Sequence, residues 1–221
     1  MKKVLFCLCG LLICLALTAR DDFGVVLSAD VSKKIAKGLN INLEEEYRSR
    51  SDFSEVERFS HALDLSYKPF TFLKTGAAYN LINYNHIKKG WEVRHRYYFY
   101  ATGSFEVKRI TFSLRERYQS TKRVGVIETA TRANPKLLLR SRFKVDYNIR
   151  KSRFTPYASI ELFNTLNNPQ QNKMEQWRSM AGTEYKLNKR NLLDFYYRYT
   201  HTTDSEERSI HQIGIAYSFK F

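Results

Sequence analysis

The chain has 221 residues, and its 37 Lys and Arg outnumber its 22 Asp and Glu, for a formal net charge of +15. This length suits one domain. Charged residues make up 27% and hydrophobic residues 43%, which excludes both a disordered polyelectrolyte and a protein built from many membrane-spanning helices. The three cysteines are Cys7, Cys9 and Cys14, so no disulfide scaffold or cysteine-based metal site can form in the rest of the chain.

The first 19 residues have the order of a secretory signal peptide. Lys2 and Lys3 precede an apolar run, and the small residue Ala19 marks the predicted cleavage site. The run of about 14 residues is shorter than the roughly 20 that a spanning helix needs, although an uncleaved anchor is the alternative. We therefore predict a signal peptide at residues 1–19 and one domain at residues 20–221. Because export removes the chain from cytoplasmic nucleic acid, we expect no nucleic-acid partner.

From residue 23 onward, apolar and polar residues alternate with a period of two. Leu39, Ile41 and Leu43 show this alternation near the start, and Ile213 and Ile215 show it near the end. Such a pattern is typical of strands with one apolar and one polar face, which predicts an all-β fold. Most predicted strands run about 10–14 residues, longer than strands of soluble sheets and matched to a tilted bilayer span.

The predicted connections alternate between short turns and longer polar loops. This sorting is typical of outer-membrane barrels, which have short periplasmic turns and longer external loops. We therefore predict a transmembrane, antiparallel, up-and-down β-barrel in the bacterial outer membrane. The short connections are residues 68–70, 102–104, 150–153 and 188–190, and the long ones are residues 49–57, 84–90, 120–135, 165–175 and 201–208.

The alternation favours ten strands, counted from Leu39. Residues 23–35 also alternate, and they form either an N-terminal extension or one of twelve strands, because bacterial barrels favour even numbers. The partner that twelve strands would require is sought in residues 121–131. Between Val107 and Ile110 the phase slips, which predicts a β-bulge.

The last strand ends on three alternating aromatic residues, Tyr217, Phe219 and Phe221. This ending resembles the signature that outer-membrane proteins present to the barrel-assembly machinery, which we expect as a partner during biogenesis. Aromatic residues near strand ends, such as Trp91 and Trp177, predict interfacial girdles. We expect a monomer surrounded by outer-membrane lipids and lipopolysaccharide. The loop at 120–135 either meets lipopolysaccharide or is simply solvated.

In such a barrel the polar strand face turns inward, and here that face is rich in cations. Two interpretations remain open: a lumen filled by Arg–carboxylate pairs, or a narrow passage that favours anions. The candidate lumen residues are Arg94, Arg96, Arg115, Arg117, Arg140, Arg142, Arg178, Glu161 and Glu184.

Little in the sequence points to catalysis. The five histidines are scattered without metal-ligand spacing, and the glycines form no phosphate-binding loop. We therefore expect no catalytic residues, no metal and no cofactor, and prefer a non-enzymatic barrel that is structural or a narrow anion-favouring channel. Two alternatives remain: an outer-membrane lipid-modifying enzyme, and a soluble periplasmic β-protein that binds anionic ligands.

Several short motifs, in order, extend over most of the chain after residue 19. With them the chain resembles an uncharacterised family of outer-membrane β-barrels, domain of unknown function 2490. The resemblance implies a barrel and an outer-membrane location, and supplies no known activity, substrate or catalytic residue. The motifs are the Arg-x-Arg pairs Arg48/Arg50, Arg94/Arg96, Arg115/Arg117 and Arg140/Arg142, then Pro156-Tyr157, Glu161/Phe163, Arg178, Gly182, Tyr185 and Tyr197/Tyr199.

Overall fold

The computed structural model describes residues 21–203 and 209–221, so the predicted signal peptide lies outside the described residues. The described residues form eleven strands, and none of their segments is a helix long and apolar enough to cross a membrane. The strands are β1 (Asp22–Ala36), β2 (Leu39–Arg50), β3 (Glu55–Phe70), β4 (Leu73–His86), β5 (Gly90–Val107), β6 (Ile110–Arg123), β7 (Lys136–Tyr147), β8 (Phe154–Thr165), β9 (Met174–Lys186), β10 (Asn191–Thr202) and β11 (Ile210–Lys220).

The strands form one closed barrel, which confirms the predicted all-β architecture. Each strand pairs antiparallel with the next one along the chain. The barrel closes through a parallel pair, in which residues 22–32 of β1 lie beside residues 210–220 of β11. We call this pair the seam. An odd number of strands requires one parallel pair, because strand direction reverses at every turn.

The strand number corrects both sequence-based counts, the preferred ten and the alternative twelve. Residues 23–35 are not an N-terminal extension, because they form the closing strand β1. They are a strand without the twelfth strand that was expected beside them. Residues 121–131 add no further strand, because β6 runs to Arg123 and a loop follows it. The preference of bacterial barrels for even strand numbers therefore predicted the wrong strand count, whereas the alternating pattern of residues 23–35 correctly predicted a strand.

The connections at one barrel end are shorter on average than those at the other, but the sorting is not strict. Residues 51–54 and 87–89 replace the longer predicted loops 49–57 and 84–90, because the flanking strands extend into them, and both are shorter than the connection at residues 148–153. The carboxyl end of β11 lies at the short-turn end, and β1 starts at the long-loop end. The short-turn connections are residues 37–38, 71–72, 108–109, 148–153 and 187–190, and those at the long-loop end are residues 51–54, 87–89, 124–135, 166–173 and 203–209.

The β5–β6 hairpin differs from the prediction. Residues 102–104 form part of β5 and not a turn, and the true turn lies at Lys108 and Arg109, where a bulge was predicted. Lys108 has φ 58°, the left-handed conformation that tight hairpin turns use. Beyond the predicted turn, Phe105 stacks on Phe112 with ring centroids 5.1 Å apart. This cross-strand contact helps to keep β5 and β6 paired as far as the turn at Lys108 and Arg109.

The two faces of the barrel differ in polarity. Large apolar side chains face outward, with Phe99 63% and Leu114 52% exposed, whereas Arg140, Glu161 and Arg198 are buried. This arrangement inverts that of a water-soluble protein and matches a barrel surrounded by lipid. Aromatic pairs lie near both ends, with Trp91 and Phe59 at the long-loop end, and Phe70 and Phe72 at the short-turn end.

Strand β1 approaches β2 closely at Gly24. A Cβ atom at this position would lie 2.2 Å from the backbone oxygen of Ser49, so only glycine fits without moving the backbone. The next residue, Val25, donates its N–H to Ser49 Oγ at 2.9 Å. Ser49 is almost completely buried. These contacts fix the start of β1 against β2, beside the seam.

We predict that Gly24→Ala lowers the free energy of unfolding by about 1–3 kcal/mol, because the added methyl group forces β1 and β2 apart. The change is measured by unfolding the purified barrel in urea. The folded fraction at each urea concentration is read from the different gel migration of the folded and the unfolded forms. Gly103→Ala is the matched control, since a Cβ there meets no atom within 4 Å. Equal unfolding midpoints for the two variants would contradict this account of Gly24.

Candidate functional site

An internal cavity of about 380 Å³ lies in the middle of the barrel, and we call it the central cavity. Its wall contains many more cations than anions. Because side chains alternate along each strand, neighbouring strands direct their charged residues inward at similar heights. The charged residues that line it are Arg48, Arg58, Arg96, Arg115, Arg117, Arg140, Arg142, Arg178 and Arg198, together with Glu44, Glu46 and Glu161.

Glu161 on β8 is the main ion-pair partner in this cavity. Arg115 donates to Glu161 Oε1 at 2.7 Å, and Arg140 donates to Glu161 Oε2 at 2.8 Å. Arg178 lies 3.7 Å from the same Oε2 atom. The Glu161 side chain is only 6% exposed. One buried carboxylate therefore serves three arginines from three different strands.

A second group of ion pairs lies where β2 meets β3. Arg48 donates to both carboxylate oxygens of Glu46, at 2.7 and 2.8 Å, which is a bidentate pair. Glu57 and Arg58 form another pair, with atoms 3.0 Å apart. The register of β2 and β3 shifts here, and the bulge buries the side chains of two consecutive residues, Glu57 and Arg58.

In the described part of the chain, four cavity arginines form no ion pair. Within residues 21–203 and 209–221, no ion pair shorter than 4.0 Å involves Arg96, Arg117, Arg142 or Arg198. Three of the four make neutral contacts instead. Buried cations without a counter-charge are costly, so these residues mark the place where an anion would be stabilised.

The neutral contacts hold these side chains in place. Arg96 donates to Thr121 Oγ1 at 3.2 Å. Arg198 donates twice to Gln212 Oε1, at 3.0 and 2.6 Å. The guanidinium of Arg117 lies over the ring of Tyr98, 4.0 Å from its centroid. Hydrogen bonds to neutral oxygens and a cation–π contact orient the guanidinium groups without cancelling their charge.

Cations also line both mouths of the barrel. A cavity of about 350 Å³ at the long-loop end is lined, among the described residues, by the cations Arg123, Arg132, Lys136 and Lys173 and by the acidic residue Glu175. Another, of about 470 Å³ at the short-turn end, is lined by Lys34, Lys74 and Lys220, with Asp30 and Asp64. Positive charge therefore recurs along the barrel axis from end to end.

Part of the loop at residues 124–135 lines the cavity at the long-loop end. Arg123 donates to the backbone oxygen of Ala133 at 2.9 Å, and Ala133 is buried. The side chain of Asn134 accepts from the Arg123 backbone N–H at 2.8 Å. These bonds place Arg132 in the wall of the mouth cavity.

The structure places the nine candidate lumen residues in three regions. Seven of them line the central cavity: Arg96, Arg115, Arg117, Arg140, Arg142, Arg178 and Glu161. Arg94 lies nearer the long-loop end, paired with Glu92 and stacked 3.6 Å from the ring centroid of Tyr84. Glu184 lies nearer the short-turn end, where Lys144 donates to it at 3.3 Å.

The sequence analysis missed Arg48, Arg58 and Glu46. The signal for Glu46 and Arg48 was the inward phase of β2, which Asn40, Asn42 and Glu44 set and these two residues continue. Arg58 shares the phase of Ser60 on β3. Extending the alternation to the strand ends would have found all three.

The terminal aromatics lie at the end of β11. Tyr217 and Phe219 pair in register with Leu193 and Asn191 of β10, and Phe221 is 69% exposed. The rings of Phe219 and Phe221 meet edge to face, with centroids 4.8 Å apart. Their use as an assembly signal stays a prediction.

Two histidines, His61 and His95, pair with single polar side chains, whereas His201 and His211 both contact the ring of Tyr199. His95 bonds to the Tyr79 hydroxyl at 2.7 Å on the outer face, which explains its place on the apolar strand phase. His61 pairs with Glu45, also on the outer face. Among the residues that the structure describes, no three metal-ligating side chains come together.

Together, the closed barrel, its apolar outer face and its charged interior define the class of outer-membrane-type β-barrels. The chain belongs to the family described as a protein of unknown function (DUF2490), whose model matches residues 23–211. The family resemblance seen in the motifs is thereby confirmed. No curated protein sequence matches the chain significantly.

A comparison with solved structures found two outer-membrane barrels that are similar to this chain. The NanC porin is 14% identical with a TM-score of 0.55, over 90% of this chain and 99% of that chain. The β-domain of the Bordetella autotransporter BrkA is 15% identical with a TM-score of 0.46, over 84% of this chain and 83% of that chain. At this identity the likeness to the porin supports the barrel architecture alone.

We predict that Glu161→Gln lowers the free energy of unfolding by about 3 kcal/mol or more, because it leaves three buried arginines without their shared counter-charge. Urea unfolding of the purified barrel measures this loss. Glu106→Gln makes the same chemical change at an exposed residue and should have little effect. If both variants unfold at the wild-type urea concentration, Glu161 is not the main ion-pair partner of the cavity.

Proposed function

We propose that this protein is an integral barrel of the bacterial outer membrane that gives small anions a passage through its lumen. The exposed apolar belt supports membrane insertion, and the short turns are assigned to the periplasmic side by the usual arrangement of such barrels. The fold likeness to the NanC porin is consistent with a passage.

One observation carries this proposal: among the described residues, nine arginines line the central cavity against three glutamates. Four of these arginines have no carboxylate within ion-pairing distance among the described residues. A wall built only to fill the barrel would be expected to balance its charges, because each unpaired buried cation reduces stability. The surplus indicates that mobile anions complete the site.

Geometry and electrostatics support the same passage. Rings of positive side chains in a narrow pore raise the local anion concentration and exclude cations. The cavity volume of about 380 Å³ equals about a dozen water molecules, which suits small hydrated ions. The cations at both mouths extend the favourable potential along the axis.

The remaining parts of the proposal concern partners and chemistry. The protein acts without catalysis, as a monomer in contact with outer-membrane lipids and lipopolysaccharide. The barrel-assembly machinery recognises its aromatic end at Tyr217, Phe219 and Phe221. The leader at residues 1–19 is cleaved on export. Neither a cofactor nor a nucleic acid has a role.

The first test is conductance in planar bilayers under a KCl gradient. We expect a reversal potential that favours chloride. Arg198→Gln should lower the chloride-to-potassium permeability ratio about fourfold, since one charge about 10 Å away in a watery pore contributes roughly 0.4 kcal/mol to each ion, with opposite sign for chloride and potassium. Arg150→Gln removes the same charge from an exposed turn and is the control. A folded barrel without conductance would be structural and would overturn the proposed passage.

The second test concerns location. Membranes of a Gram-negative host that expresses the full chain are fractionated and washed with alkaline carbonate. We expect the protein to remain in the outer-membrane fraction and to migrate faster on gels when unheated, because closed barrels resist detergent. Release by carbonate would favour the alternative of a soluble periplasmic protein.

A further inference from the structure

Four arginines form a square on the wall of the central cavity. Arg115 and Arg117 lie on β6, and Arg140 and Arg142 lie on β7. In the register of these strands, Arg115 is directly opposite Arg142, and Arg117 is directly opposite Arg140. All four side chains line the cavity. We call these residues the arginine quartet.

The quartet carries more charge than its surroundings neutralise. Like charges directly opposite each other on adjacent strands are destabilising, with Cβ atoms only about 4.5–5.5 Å apart. Glu161 accepts from Arg115 and Arg140 and provides one negative charge for both. Among the described residues, neither Arg117 nor Arg142 has a carboxylate within ion-pairing distance, although Arg142 is directly opposite Glu161 in the register of β7 and β8. Two neighbouring pairs of like charge therefore share one counter-charge.

The quartet also has unused hydrogen-bond donors. Within the described part of the chain, the Nε atoms of Arg115, Arg117, Arg140 and Arg142 are buried and have no acceptor. The Arg140 side chain is only 9% exposed. Buried donors of a charged group are costly when they lack acceptors. A ligand that brings several negatively charged oxygen atoms would offset the surplus charge to which these unsatisfied donors belong.

The aromatic neighbours limit how the guanidinium groups can move. Arg117 stacks on Tyr98 at 4.0 Å from the ring centroid, and Arg140 stacks on Phe163 at 4.3 Å. Arg140 also donates to Gln119 Oε1 at 2.9 Å. Side chains held in this way lose little further entropy when they bind a ligand, which favours affinity.

We propose that the arginine quartet is a saturable binding site for a small oxyanion carrying two negative charges, of the phosphate or dicarboxylate type. This inference rests on the proposed anion passage, because the quartet lies within it. Guanidinium groups present paired N–H donors that match the oxygen pairs of phosphates and carboxylates. Chloride has no such oxygen pair. The site therefore makes the passage selective for oxyanions and not only for negative charge.

Phosphate block of the chloride current tests the inference. The full-length processed barrel is inserted in planar bilayers in KCl at pH 8, and inorganic phosphate is added to one side. We expect a saturable reduction of the chloride current. Arg117→Gln and Arg142→Gln should each raise the half-blocking phosphate concentration about tenfold, as expected for one lost hydrogen bond to a charged group. Arg150→Gln, in an exposed turn, should leave it unchanged.

Two further arms identify the chemistry. Arg117→Lys keeps the charge but removes the paired donors, so it should weaken phosphate block nearly as much as Arg117→Gln. Succinate replaces phosphate in a parallel titration, and the tighter of the two probes assigns the site to phosphates or to dicarboxylates. Heat-modifiable migration of every variant confirms that the barrel is folded before it is measured.

The outcomes separate this inference from the proposed function. Anion-selective current that neither phosphate nor succinate blocks would overturn the quartet site and leave the passage standing. Equal block in the wild type, Arg117→Gln and Arg142→Gln would also overturn it. A barrel without conductance that is thermally stabilised by phosphate, and loses this stabilisation in Arg142→Gln, would retain the site and overturn the passage.

Discussion

Closure of the backbone hydrogen-bond ladder is the constraint on which this structure depends. The seam between β1 and β11 gives every strand two neighbours, so neither edge is left open. In lipid no water can satisfy an exposed amide, and only a closed sheet avoids that cost. Once all backbone hydrogen bonds are formed, alternate side chains along each strand point outward or inward. Leu63 and Phe99 face outward, and Arg140 and Glu161 face inward. The charged interior is thus a consequence of closure.

The interior combines stabilising ion pairs with uncompensated charge. Glu161 and Glu46 hold arginines in well-formed pairs, and these contacts offset part of the cost of desolvation. Arg96, Arg117 and Arg142 line the same cavity, and none of them forms an ion pair with another described residue. Functional sites often retain such unfavourable groups, and the surrounding structure compensates for them. The barrel is well suited to this arrangement, since its backbone ladder does not depend on the interior side chains.

The alternation of apolar and polar residues predicted the fold, because successive side chains of a strand point to opposite faces of the sheet. It also placed seven of nine candidate residues at the central cavity. The alternation could not predict contacts between strands. The contact between Arg115 and Glu161, for example, depends on the register of β6 with β7 and of β7 with β8. The bulge that buries both Glu57 and Arg58 breaks the alternation on which the prediction relied. The turn residues of the segment at 102–104 were misleading, since pairing of Phe105 with Phe112 extends the hairpin past them.

The register of the seam also affects the diameter of the barrel. A slip of β1 against β11 by one residue would turn Asp30 toward lipid and Val31 toward the lumen, and so is disfavoured. A slip by two residues, about 6–7 Å, would keep both faces intact. Such a slip changes the shear of the barrel, which together with strand number sets its diameter and strand tilt. The register of this single parallel pair therefore fixes how far apart the arginines stand across the lumen.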